Sequence, residues 1–154
     1  MVKALRHTGL VVRDAEKVLS FYRDLLGFSI VRDAREEGPF VGHILGMPGI
    51  KVRTIKMLCG AEGMLELLCF DRTVPRPDKD DLVRPGFSHI ALTVKDVDGL
   101  YGRLCGEGVA FIAAPAISPD GKAKVAFCHD PEGNFLELVE EKKWISKEKF
   151  NRVL

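Results

Sequence analysis

Apolar and polar positions along the chain fall into two successions of the same kind. Residues 7–13 are rich in apolar, β-branched side chains, which predicts a strand. Asp14 then suits a helix N-cap, and Glu16 suits the first turn. Val18, Leu19, Tyr22, Leu25 and Leu26 recur at helical spacing and form one apolar face. Gly27 is placed to stop that helix. A strand over residues 28–33 follows, then a loop or short helix over 38–49. Two more strands, 51–59 and 64–70, flank Gly60-Ala61-Glu62-Gly63 as a hairpin turn.

The second half repeats the order. It predicts a strand over 87–95, a helix over 96–107, a strand over 109–113 and a loop over 114–122. A strand over 123–129, a turn over 130–134 and a strand over 135–140 complete it. Between the halves, residues 71–86 hold three prolines and five Asp or Lys residues, which reads as an exposed linker. In the tail, 141–154, Trp144, Ile145, Phe150, Val153 and Leu154 are spaced to dock as a short helix. The pattern is strand–helix–strand–strand–strand, twice. It predicts one α+β domain over 1–154, with modules 4–70 and 87–140.

The repetition extends to chemistry. His7-Thr8-Gly9-Leu10-Val11-Val12-Arg13-Asp14 matches His89-Ile90-Ala91-Leu92-Thr93-Val94-Lys95-Asp96. Each half also closes alike, on Met64-Leu65-Glu66-Leu67-Leu68 and on Phe135-Leu136-Glu137-Leu138-Val139. Strand side chains alternate faces. The leucines beside each glutamate point to the helix side, so Glu66 and Glu137 point inward. His7 and His89 lie beside small residues, on the face away from Thr8, Leu10 and Val12 or from Ile90, Leu92 and Val94. A carboxylate inside such a strand is costly unless paired or bound to metal. Two imidazoles and two carboxylates at matching positions suit one borderline or hard divalent ion. Glu66 alone also fits a solvent-facing carboxylate on an edge strand. His43 and His129 have no counterpart and read as surface or loop histidines. Arg53 and Lys56 suit either an anionic substrate or a solvated strand face. The loop Ser118-Pro119-Asp120-Gly121-Lys122 suits either a lid or a plain turn.

Composition narrows the partners. The net charge of +1 gives no electrostatic footprint for nucleic acid or an anionic membrane. No apolar run approaches the roughly 20 residues of a membrane helix, and the first residues lack a signal-peptide core. A cytoplasmic location is the expectation. Cys59, Cys69, Cys105 and Cys128 form no C-x-x-C pair and sit among apolar residues, so they are expected reduced and buried.

At the paired His-x₆-Asp starts, at Phe21-Tyr22-Arg23-Asp24-Leu25-Leu26-Gly27-Phe28 and at Asp130-Pro131-Glu132-Gly133-Asn134-Phe135-Leu136-Glu137, the chain resembles the vicinal oxygen chelate superfamily. That superfamily includes glyoxalases, bleomycin- and fosfomycin-resistance proteins and extradiol dioxygenases. The resemblance spans about residues 4–140 and is closest to glyoxalase I-like and methylmalonyl-CoA epimerase-like members. It implies two tandem βαβββ modules forming a curled mixed sheet around a metal cleft. Carried over by position, the ligands are His7, Glu66, His89 and Glu137. The metal would be zinc, nickel, cobalt, manganese or ferrous iron. Where glyoxalase I carries a glutathione-binding arginine, this chain has Val11. The implied activity is that of a lactoylglutathione lyase-like lyase or isomerase, abstracting a proton next to a chelated carbonyl. Its substrate would be a small molecule with adjacent oxygens. Glu137 is the first candidate base and Glu66 the second. A homodimer is also implied. The alternatives are a non-catalytic, resistance-type binding protein and an iron-dependent ring-cleaving dioxygenase.

Overall fold

In a computed structural model the chain forms two compact units, Met1–Asp78 and Lys79–Leu154. The structure describes residues 1–61, 63–75, 82–83 and 85–142. The apolar tail residues and part of the linker lie outside the described residues.

The first unit runs β1 (Thr8–Val11), α1 (Ala15–Leu19), β2 (Ser29–Glu36), α2 (Pro39–Leu45), β3 (Val52–Cys59) and β4 (Gly63–Phe70). Asp14 caps α1 as its spacing predicts, its side chain accepting from the Lys17 N–H at 3.0 Å. The helix then widens into a π-helical turn over Ser20–Leu25. Its exit is Gly27 at φ 78°, with the Phe28 N–H returning to the Tyr22 carbonyl at 2.9 Å. Val18, Leu19, Phe21 and Tyr22 are buried, whereas Leu25 and Leu26 are only half-buried.

The sheet order is β1-β4-β3-β2, with β1 and β4 parallel and the other pairs antiparallel. Parallel pairing of the first and last strands follows from the helix that intervenes. One face carries Ile55, Met57, Leu65 and Leu67, all buried. On the other, α2 covers one end: Val41 clusters with Ile50, Val52, Leu68 and Phe70. The open remainder of that face is where Glu66 lies.

The second unit runs β5 (His89–Thr93), α3 (Val97–Gly106), β6 (Ala116–Ile117), β7 (Ala123–His129) and β8 (Phe135–Glu141). Its order, β5-β8-β7-β6, with β5 parallel to β8, copies the first. Asp96 caps α3 by accepting from the Gly99 N–H at 2.9 Å. Each module is thus βαβββ, and the fold is α+β with two four-stranded mixed sheets.

One element departs from the pattern. Residues 109–113 form only a single bridge, Phe111 to Cys128, and the paired strand is β6 further on. Phe111 and Ala116 are five positions apart while their partners Cys128 and Val125 are three apart, so the register against β7 shifts between the bridge and β6. The neighbouring residues 118–122 form the β6–β7 hairpin turn. There Asp120 accepts from the Ser118 hydroxyl at 2.6 Å and the Lys122 N–H at 3.1 Å. This favours the plain turn over a lid.

Candidate metal centre

In the first unit β4 is an interior strand, so Glu66 is not an edge carboxylate. Its neighbours Leu65 and Leu67 are buried on the helix side, and its own side chain is 12% exposed. Across the parallel pair Gly9 is its register partner, and His7 lies two residues earlier on the same face. The two side chains meet on that face: His7 Nε2 is 3.1 Å from Glu66 Oε2. From the other side Lys56, the β3 partner of Glu66, brings Nζ to 3.4 Å from Oε1. A carboxylate so withdrawn needs compensation, and it receives it at both oxygens. His7 Nδ1 is buried and has no hydrogen-bond partner among the described residues.

The second unit repeats the register. Ala91 is the partner of Glu137 and His89 lies two residues earlier. His89 Nε2 is 3.3 Å from Glu137 Oε2, while Nδ1 meets the Ser88 hydroxyl at 2.8 Å. The β7 partner of Glu137 is Phe127, whose ring stands edge-on to His89 with centroids 5.3 Å apart. The same diagonal placement occurs in both modules, with a small residue facing each glutamate.

Residues 4–138 match the Glyoxalase/Bleomycin resistance protein/Dioxygenase superfamily. The chain belongs to this superfamily. It is 30% identical over 136 residues to a probable lactoylglutathione lyase of Synechocystis sp., spanning 88% of this chain and 94% of that one. It is 29% identical to the lactoylglutathione lyase of Schizosaccharomyces pombe, over 97% of this chain but 53% of that protein. A glyoxalase family protein from Bacillus cereus has the same fold, with a TM-score of 0.83 at 20% identity, covering 92% of this chain and 95% of that one.

Within this glyoxalase-superfamily chain the four sequence-nominated residues come together as pairs, His7 with Glu66 and His89 with Glu137. No group of three or more His, Cys, Asp or Glu is gathered to hold a metal among the described residues. Each pair nevertheless fits one. Donor atoms 3.1 and 3.3 Å apart have the spacing of neighbouring ligands on an ion with bonds of about 2.1 Å. The described helices include none long and apolar enough to cross a membrane.

The other candidates separate cleanly. His43 is exposed on α2, and His129 packs on the Phe135 ring at 4.6 Å between centroids. Arg53 lies on the opposite face from Lys56. It grips Asp33 through two bonds of 2.9 and 2.7 Å and Glu16 through one of 2.7 Å. These bonds tie α1, β2 and β3 together and hold the Asp33 carboxyl below its ordinary value. Arg53 is therefore structural. Lys56, Phe127 and Ser88 complete the two pairs. Their signal in the sequence is faint, because only the strand register reveals that Lys56 and Phe127 stand opposite glutamates.

Proposed function

We propose that this chain is a divalent-metal-dependent lyase or isomerase. In this reading both modules act as one domain and His7, Glu66, His89 and Glu137 bind a single ion. The observation that carries the proposal is the repeated pairing of histidine Nε2 with a glutamate oxygen at 3.1 and 3.3 Å. The donor set suits zinc, nickel, cobalt, manganese or ferrous iron. His89 Nδ1, which meets the Ser88 hydroxyl at 2.8 Å, fits the same picture, since a ligating imidazole is oriented through its second nitrogen. A bound cation supplies Lewis acidity to two adjacent oxygens of a small substrate.

The protein's own part is to move a proton. Glu137 is the general base for a proton next to the substrate carbonyl. Its side chain is 24% exposed against 12% for Glu66, and it faces Phe127 rather than a lysine. Glu66 is tethered by Lys56 and His7, so it serves as the fixed ligand and the second candidate base. Relatives named lactoylglutathione lyase support a 2-hydroxy thioester or related hydroxy carbonyl compound as substrate.

Metal content of untagged protein by plasma mass spectrometry tests the centre, with near one divalent ion per chain expected. Wild-type protein that stays empty after incubation with zinc, nickel, cobalt and manganese would sink the enzyme reading and leave a binding module on this fold. Retained ferrous ion with substrate-dependent oxygen uptake would move it to the dioxygenases. Deuterium exchange from heavy water into S-lactoylglutathione and simpler hydroxy carbonyl compounds tests the base. Exchange should vanish in Glu137→Gln while most of the metal remains.

A further inference from the structure

The two modules place different side chains opposite their glutamates. Lys56 is the register partner of Glu66, and Phe127 is the register partner of Glu137. The scaffold therefore does not demand a cation at this position; the lysine belongs to the first module alone. Its side chain is 21% exposed, and Glu66 is its only charged partner among the described residues. An ammonium has three donors, so two remain for another acceptor. The nearby cation differs. Arg32, the β2 partner of Lys56, lies 3.7 Å from Glu36, which also accepts from the Thr54 hydroxyl at 3.0 Å. Arg32 has an acid that no metal would claim, whereas the acid beside Lys56 is a nominated ligand.

Charge then points outward from the protein. With a dication held, Glu66 and Glu137 neutralise it, the neutral imidazoles add nothing, and Lys56 leaves one positive charge over. A half-withdrawn ammonium next to a cation is stabilised by an anion delivered to it. We infer that Lys56 is an anion-recognition residue, and that the substrate carries a carboxylate within a few bonds of its two chelating oxygens. This rests on the metal-centre reading above and narrows its substrate class to anionic hydroxy or oxo carbonyl compounds. Lys56 Nζ donates to that carboxylate while its contact with Glu66 Oε1 keeps the ammonium aimed along the inner face.

Three hydroxamates separate the possibilities, because each chelates through two adjacent oxygens. Acetohydroxamate has no further charge; the monohydroxamates of malonic and succinic acid add a carboxylate at two spacings. Binding to zinc-loaded wild type, Lys56→Met and Lys56→Arg is measured by calorimetry. Wild type should prefer at least one carboxylate-bearing probe over acetohydroxamate by about tenfold or more, as a charge-assisted hydrogen bond gives. Lys56→Met should erase the preference and Lys56→Arg restore part of it. No preference in wild type, a preference that survives in Lys56→Met, or equal weakening of all three probes would overturn the inference. Failure of acetohydroxamate to bind loaded wild type is instead a failure of the metal centre. Succinate titrated into metal-free protein then decides the anion site by the Lys56 ammonium NMR signal. A shift in wild type with no succinate binding in Lys56→Met sustains it, and no shift overturns it.

Discussion

A charged side chain between two buried leucines needs a partner, and the partner comes from outside its own strand. Glu66 has His7 at one oxygen and Lys56 at the other. Alternation along the strand shows which face Glu66 takes; it does not show Lys56, which lies ten residues away and meets it only through register. The cysteines illustrate the same division. Apolar neighbours foretell four reduced, buried thiols. All four are free, yet only Cys128 is fully buried, and Cys105 is exposed on α3. Its place on the outer side of that helix is a matter of packing that flanking residues do not reveal. Burial, with Asp130 nearby, pushes the Cys128 thiol up to about 12. At pH 8 its thiolate fraction is roughly one part in ten thousand. Iodoacetamide followed by peptide mapping should therefore modify Cys105 first and leave Cys128 untouched until denaturant is added. Early labelling of Cys128 in the folded protein would contradict this packing.

At the scale of elements, the turn before β8 explains why the Asp130-Pro131-Glu132-Gly133-Asn134 phrase exists. Asp130 is buried, and its carboxylate accepts from the Glu132 N–H at 2.9 Å and from the Asn134 N–H and side-chain amide at 2.8 Å each. Gly133 takes φ 86°, the left-handed region that favours glycine. The turn delivers β8, and with it Glu137, in register with β5. Replacing Asp130 by Ala strands these donors and should cost about 2–3 kcal/mol in urea denaturation. A loss below about 0.5 kcal/mol would mean that the backbone alone holds the turn. The helices were legible for local reasons: Asp14 and Asp96 cap them and Gly27 ends the first. The strand at 109–113 was not, because its apolar content matches a strand while its pairing is interrupted before Pro115. Nothing in that segment alone records the shift of register between the Phe111–Cys128 bridge and the Ala116–Val125 pair.

For the whole molecule, the duplication makes its own prediction. Each module supplies one imidazole and one carboxylate, and half a donor set binds a divalent ion poorly. If one ion is shared, His7→Ala and His89→Ala should each drop metal content from near one per chain to near zero. If each module bound its own ion, wild type would hold two and each variant would keep one. Mass spectrometry of the three proteins distinguishes these results directly. The exposed Phe40, Ile44 and Met47, spaced along one side of α2 and its exit, are apolar surface that the described residues do not cover.

The sequence by itself determined the repeat, the α+β class, the caps and the strand face that His7 shares with Glu66 and His89 with Glu137. These depend on side-chain period and local backbone chemistry, which a chain carries wherever it folds. The tertiary structure alone decided that Glu66 is on an interior strand, that Arg53 is bound to Asp33 and Glu16, and that Lys56 and Phe127 stand opposite the two glutamates. Strand order and register bring together residues far apart in the chain, and they are set by all the neighbours at once.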